Sequence, residues 1–161
     1  MNAEGWLRRK GLQSLLLTGL VWPGMGARLA YAQRMNSGRL QSFEDMVQPI
    51  VKGAPHVNKD VSLEAPILAD NGSLVPVQIQ VASPMSGPDH VTHIYVLSQR
   101  NPVTQMAVFH LGPWNGRAEV STRVRLAGTQ QVVALARLSN GEFRYQQMEV
   151  VITESACVDA S

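Results

Sequence analysis

Cysteine occurs once in the 161 residues, at Cys157. A lone thiol excludes an internal disulfide framework and a cysteine-built metal cage. Aromatics make up 6% and charged residues 16% of the chain, and the formal net charge is +2. Even that small surplus is local. Residues 1–32 carry Arg8, Arg9, Lys10 and Arg28 against Glu4, and the remainder holds ten positive charges against eleven negative ones. Such a chain has no electrostatic footprint for nucleic acid. Apart from the N-terminal run, no apolar stretch reaches membrane length. What the chain does have is 45% hydrophobic residues, enough for one packed domain and too few residues for two comfortable ones.

The first 32 residues read as an export signal. Arg8-Arg9-Lys10-Gly11-Leu12 form a basic head, Ser14 to Trp22 an apolar middle, and Ala30-Tyr31-Ala32 a small-residue cleavage site. The paired Arg8 and Arg9 point to the twin-arginine route, which carries folded cargo; an ordinary secretory signal with two chance arginines is the other reading. Either one predicts a mature protein starting near Gln33, in the periplasm, with no membrane attachment once the signal is removed. Residues 33–40 read as a polar linker.

A single short helix is predicted next. Ser42 with Asp45 three residues on resembles a capping box, and Phe43, Met46, Val47 and Ile50 form one apolar stripe. Pro49 is expected to kink or shorten this helix, and Gly53 with Pro55 to end it. The helix is expected to pack across the end or edge of a sheet. From Val61 the period changes to two: Val75, Val77, Ile79 and Val81 alternate with polar residues, as do Val120, Thr122, Val124 and Leu126. Val91, His93, Tyr95 and Leu97 are assigned to one strand face. Val132, Ala134, Ala136 and Leu138 share a face, with Val133 and Leu135 on the other. Asn71-Gly72 and Asn140-Gly141 read as tight hairpin turns needing positive φ. About seven strands over residues 41–153 predict an all-β fold, an immunoglobulin-like antiparallel β-sandwich with a short N-terminal helix.

Candidate chemistry is sparse. Among His56, His90, His93 and His110, the pair His90 and His93 is three apart, which on a strand points to opposite faces and chelates poorly. Met35, Met46, Met85, Met106 and Met148 are scattered and read as core filling. Arg117, Arg123 and Arg125 form a small basic cluster, either a solvated face or a docking surface for an acidic partner. Asp45, Asp60 and Asp70 show no paired catalytic spacing. Cys157 stands beyond the last predicted strand, in the tail 154–161. It reads either as an incidental cysteine or as a covalent carrier group, a nucleophile on a projecting segment with a rigid body behind it for partners to grip.

A family resemblance bears on that choice. Phe43-Glu44-Asp45, Val75-Pro76-Val77, Ser83-Pro84-Met85, His93-Ile94-Tyr95-Val96, Asn101-Pro102, Ser121-Thr122-Arg123-Val124-Arg125-Leu126-Ala127, Gln131 to Ala136 and Gly141-Glu142-Phe143 occur in an order and spacing that resemble the SoxY family. The resemblance implies a periplasmic sulfur carrier, not an enzyme, with no cofactor or metal of its own. It implies a heterodimer with SoxZ and covalent attachment of thiosulfate or sulfane sulfur to Cys157. Transient docking to SoxAX, SoxB and SoxCD would follow during thiosulfate oxidation. The sequence departs from the family at the tail, where a Gly-Gly-Cys-Gly-Gly arm is expected. Ser155 and Ala156 precede Cys157, Val158 follows it, and no glycine flanks it. Ala and β-branched Val restrict the backbone more than glycine does. Glu154 and Asp159 bring negative charge toward the thiol. A divergent module that keeps the SoxZ interface and has lost carriage is therefore the alternative.

Overall fold

The computed structural model describes residues 40–154. The helix α1 spans Phe43–Val51. Nine strands follow: β1 His56–Val57, β2 Val61–Glu64, β3 Leu68–Asn71, β4 Val75–Val81, β5 Val91–Ser98, β6 Gln105–His110, β7 Ala118–Val124, β8 Gln130–Leu138 and β9 Phe143–Glu154. A single 3-10 turn, Pro113–Asn115, separates β6 from β7.

Two sheets face each other. The larger runs β1-β9-β8-β5-β6, with β3 also on β9, and the smaller runs β2-β4-β7. Period two explains their packing: Val75, Val77, Ile79 and Val81 of β4 are buried while every residue between them is exposed. They meet Ile94, Val96, Val132, Ala134, Ala136, Val150 and Ile152 of the larger sheet in one apolar layer. The all-β sandwich read from the sequence is the observed architecture, with two amendments. The strands number nine rather than about seven. The two additional short strands, β1 and β3, pair with β9 in parallel, whereas the other ladders are antiparallel.

The helix does not lie across an end or edge of a sheet. Met46, Val47 and Val51 pack on Leu97, Val133, Leu135 and Phe143, which places α1 on the outer face of the larger sheet. The reason lies in β8, whose central residues are apolar on both faces; the outward Val133 and Leu135 need a cover, and the helical stripe supplies it. The capping box forms as read: Ser42 Oγ accepts from the Asp45 N–H at 3.1 Å, and Asp45 Oδ2 accepts from the Ser42 N–H at 3.3 Å. Pro49 does not end the helix before its last turn. It sits on the exposed side, and helical bonding resumes with Lys52 N–H donating to the Gln48 carbonyl at 2.9 Å. Left-handed Lys52 and Gly53 then stop it.

Two local readings change. A register shift between Val91 and His93 puts Val91 in the inter-sheet core with Ile94 and Val96, away from the face of His93 and Tyr95. Such a bulge shifts the alternation by one residue. Asn140-Gly141 makes the β8–β9 hairpin, with Gly141 at φ 88. Asn71-Gly72 does not make a hairpin, because β3 and β4 belong to different sheets. Glycine is required there for space instead: a β carbon at 72 would run into the Leu126 carbonyl oxygen and crowd Ile152.

Candidate functional site

Cys157 lies outside the described residues, as do Arg8, Arg9, Ala30, Ala32 and Met35. The structure does show what holds the chain three residues before Cys157. β9 is fastened along its last turn of sequence on both sides. Ile152 N–H donates to Thr129 Oγ1 at 3.0 Å, Thr153 Oγ1 donates to the Asp70 carbonyl at 2.9 Å, and Asn71 pairs with Glu154. Gly72, in turn, accepts from the Leu126 N–H at 2.7 Å. Those bonds join β3, β4, β7, β8 and β9 at one pole of the sandwich, so the strand leading to Cys157 is anchored up to Glu154.

A buried polar network stiffens the same pole. Gln130 is 2% exposed. Its Oε1 accepts from Ser98 Oγ at 2.5 Å and from the Arg100 N–H at 2.8 Å, and its Nε2 donates to Asn101 Oδ1 at 3.1 Å. Asn101 then ties across to the smaller sheet, accepting from the Ala127 N–H at 2.9 Å and donating to the Arg125 carbonyl at 2.7 Å. Sequence reasoning singled out Asn101-Pro102 as a turn and missed Gln130 and Ser98, because a polar residue at the start or end of a strand reads as solvent-facing.

The surface at this pole is apolar and basic. Ile67, Leu68, Leu74 and Val151 are exposed, and Leu68 and Val151 are register partners. An open groove of about 850 Å³ runs over the outer face of the smaller sheet, lined by Glu64, Pro66, Leu74, Pro76, Gln78 and Arg123 among others. Arg123 also lines a second opening of about 420 Å³ between the edge strands β6 and β7, with Arg125, Val103 and Met106. Arg123 and Arg125 thus share this pole. Arg117 does not join them: it precedes β7 at the far end of a seven-residue strand, roughly 20 Å away. The predicted three-arginine cluster is therefore a pair and an outlier.

The other sequence candidates are spread through the fold. His56 meets Phe43 and Tyr145 in tilted ring contacts, and its Nε2 lies 3.6 Å from Glu44 Oε1. His90 precedes β5, its Nδ1 3.1 Å from the Gly87 carbonyl. His93 meets His110 rather than His90, their ring centroids 4.5 Å apart. Asp45 caps α1, Asp60 pairs with Arg144 at 3.0 Å, and the Asp70 carbonyl serves β9. Met46 and Met85 are buried, and Met106 and Met148 pack against the inter-sheet core. Among the described residues, no group of three or more His, Cys, Asp or Glu side chains is placed to hold a metal ion.

Comparison with known proteins adds three findings. The family model for "Sulfur oxidation protein SoxY" matches residues 47–157, a stretch that ends on Cys157. No curated protein sequence matches the chain. Among solved structures, the sulfur carrier protein SoxY from Chlorobium limicola f thiosulfatophilum is similar at a TM-score of 0.57 and 27% identity. That match covers 69% of this chain and 96% of that one. The superoxide reductase (neelaredoxin) from Ignicoccus hospitalis aligns at a TM-score of 0.53 and 12% identity over 70% of this chain and 99% of that one, a likeness of fold alone.

Proposed function

The chain belongs to the SoxY family, and from that premise we propose that it is a periplasmic sulfur carrier that holds thiosulfate-derived sulfur covalently on Cys157. The observation that carries this reading is the family match running through the sandwich and ending on Cys157. The anchored end of β9 supports it mechanically. Three residues span at most roughly 10 Å, so the reading requires partners that grip the body close to the end of β9. Loading joins the Cys157 sulfur to the outer sulfur of thiosulfate; the thiol proton leaves and two electrons pass to a partner oxidase, for which SoxAX is the family's candidate. Hydrolysis of the resulting sulfonate, by SoxB, then leaves sulfane sulfur on the carrier for SoxCD. SoxZ is the expected heterodimer partner, and Arg8-Arg9 the expected export signal. The carrier itself supplies the attachment point and no catalytic group.

Charge sets a condition on the partners. Glu154 and Asp159 disfavour a thiolate at Cys157 and repel an anionic guest. On this reading the partner enzymes must supply compensating positive charge. The glycine-free tail favours a second reading, a SoxY-like module that has kept its partner interface without carriage. Intact mass of the protein drawn from the periplasm of cells grown on thiosulfate separates the two. Carriage predicts a species heavier by one thiosulfonate group or one sulfur atom, absent in Cys157→Ala. An unmodified mass throughout leaves only the module reading.

A further inference from the structure

The helix α1 covers only part of the outer face of the larger sheet. Beyond it, toward the β6 edge, the antiparallel registers put three basic side chains in one row across three strands: His110 on β6, His93 on β5 and Arg137 on β8. The two imidazoles meet edge to face, 4.5 Å between centroids and 67° between planes. Tyr95 stacks on His93 from its own strand, and the Thr92 hydroxyl donates to the Arg137 carbonyl. Among the described residues the ion pairs are His56–Glu44 and Arg144–Asp60, so no carboxylate pairs with this row. His93 Nδ1 is buried and has no hydrogen-bond partner.

We infer that the His110–His93–Arg137 row is a binding site for a small, doubly charged tetrahedral oxyanion of the sulfate, thiosulfate or phosphate class. A planar guanidinium offers paired donors to two oxygens of such an ion, and the imidazole edges offer further donors once protonated. Among the described residues no third metal ligand stands beside the two imidazoles, and the fixed charge of Arg137 repels a cation, so the row is ill suited to a metal. Burial, then His110, then Arg137 hold the His93 pKa below its ordinary value; these are the charged groups that face it from the flanking strands. An anion relieves that repulsion, so its binding raises the His93 pKa and tightens as the pH falls. The site is independent of sulfur carriage. Arg137 pairs with Phe143, at the other end of twelve-residue β9 and so roughly 36 Å from Glu154. Cys157 of the same chain, about 10 Å beyond Glu154 at most, does not span that distance, and the ion bound is a free one.

Histidine ring NMR of the whole mature chain tests this, with sulfate, thiosulfate and phosphate each titrated against chloride at constant ionic strength. The expected result is saturable movement of the His93 and His110 resonances and an upward shift of the His93 pKa. Affinity should rise from neutral to mildly acidic pH. Arg137→Gln should weaken binding about tenfold, and His110→Gln, at an exposed position, should weaken it with the fold intact. Comparing the three ions shows which oxyanion chemistry the row prefers. Equal response to chloride, or affinity unchanged in both variants, overturns the proposal; neither outcome bears on sulfur at Cys157.

Discussion

Replacing Gln130 by leucine should unfasten the pole at which β9 ends, and the cost follows from the bonds. Leucine fills nearly the same volume, so no large cavity opens. It removes the acceptor of the Ser98 hydroxyl and of the Arg100 N–H, and one of the donors to Asn101 Oδ1. Ser98 is fully buried, so its hydroxyl finds no water. Each orphaned group costs about 1–3 kcal/mol; with the Arg100 bond only part-buried and the residue itself exposed, the sum is about 3 kcal/mol. That is a large share of the 5–15 kcal/mol available to a domain of this size, and it lowers Tm by roughly 15 °C. Urea unfolding followed by circular dichroism should show a lower midpoint with an unchanged slope. Combining Gln130→Leu with Ser98→Ala removes both ends of one bond, so the double variant should lose less than the sum of the singles by about 1 kcal/mol. A Gln130→Leu protein within about 0.5 kcal/mol of the parent would refute the argument, because the network would then contribute no more than a surface contact.

Other outcomes are expected on the same physical grounds. Gly72→Ala should destabilise by about 2 kcal/mol or more, measured by thermal unfolding, because the Leu126 carbonyl leaves no room for a β carbon. Ser42→Ala should cost about 1 kcal/mol by removing one half of the capping box, read from the same unfolding curves. Leu135→Ala should cost about 2–5 kcal/mol and loosen α1 from the sheet, seen as faster amide exchange in residues 43–51. The lowered His93 pKa means that the unfolded chain takes up this proton first as pH falls. Stability should therefore decline from about pH 6.5 downward through the folded-state pKa, and His93→Gln should flatten that decline in a series of urea midpoints.

Much of the sandwich was legible because its signal is local. Val75 to Val81 alternate without a break, and one buried face needs only that pattern. Val133 and Leu135, apolar opposite Val132 and Ala134, already said that the sheet needed covering on its far side, a signal stronger than the helix stripe alone for placing α1. Leu68-Ala69-Asp70-Asn71 carries no alternation; β3 exists because β9 offers a parallel edge, a tertiary fact. The bulge beside Val91 likewise depends on how β5 meets β8. Cys157 stood out by being alone, whereas the Ser98–Gln130–Asn101 network joins residues about 30 apart in sequence. The His93–His110 contact was not legible for the same reason: spacing along one strand compares His93 only with His90, and the neighbouring strand supplies His110.

The twelve-residue final strand also has a mechanical meaning. A pull applied at Glu154 in the direction of the strand acts on β9 along its own axis. Traction in that direction loads the whole β8 ladder, from Gln130–Val150 to Arg137–Phe143, together with the β3 ladder beside it, in shear. Bonds loaded together must fail together, whereas a strand peeled from its end would give way one rung at a time. A pull on the end of β9 thus leaves the sandwich's shape intact until the whole ladder gives way.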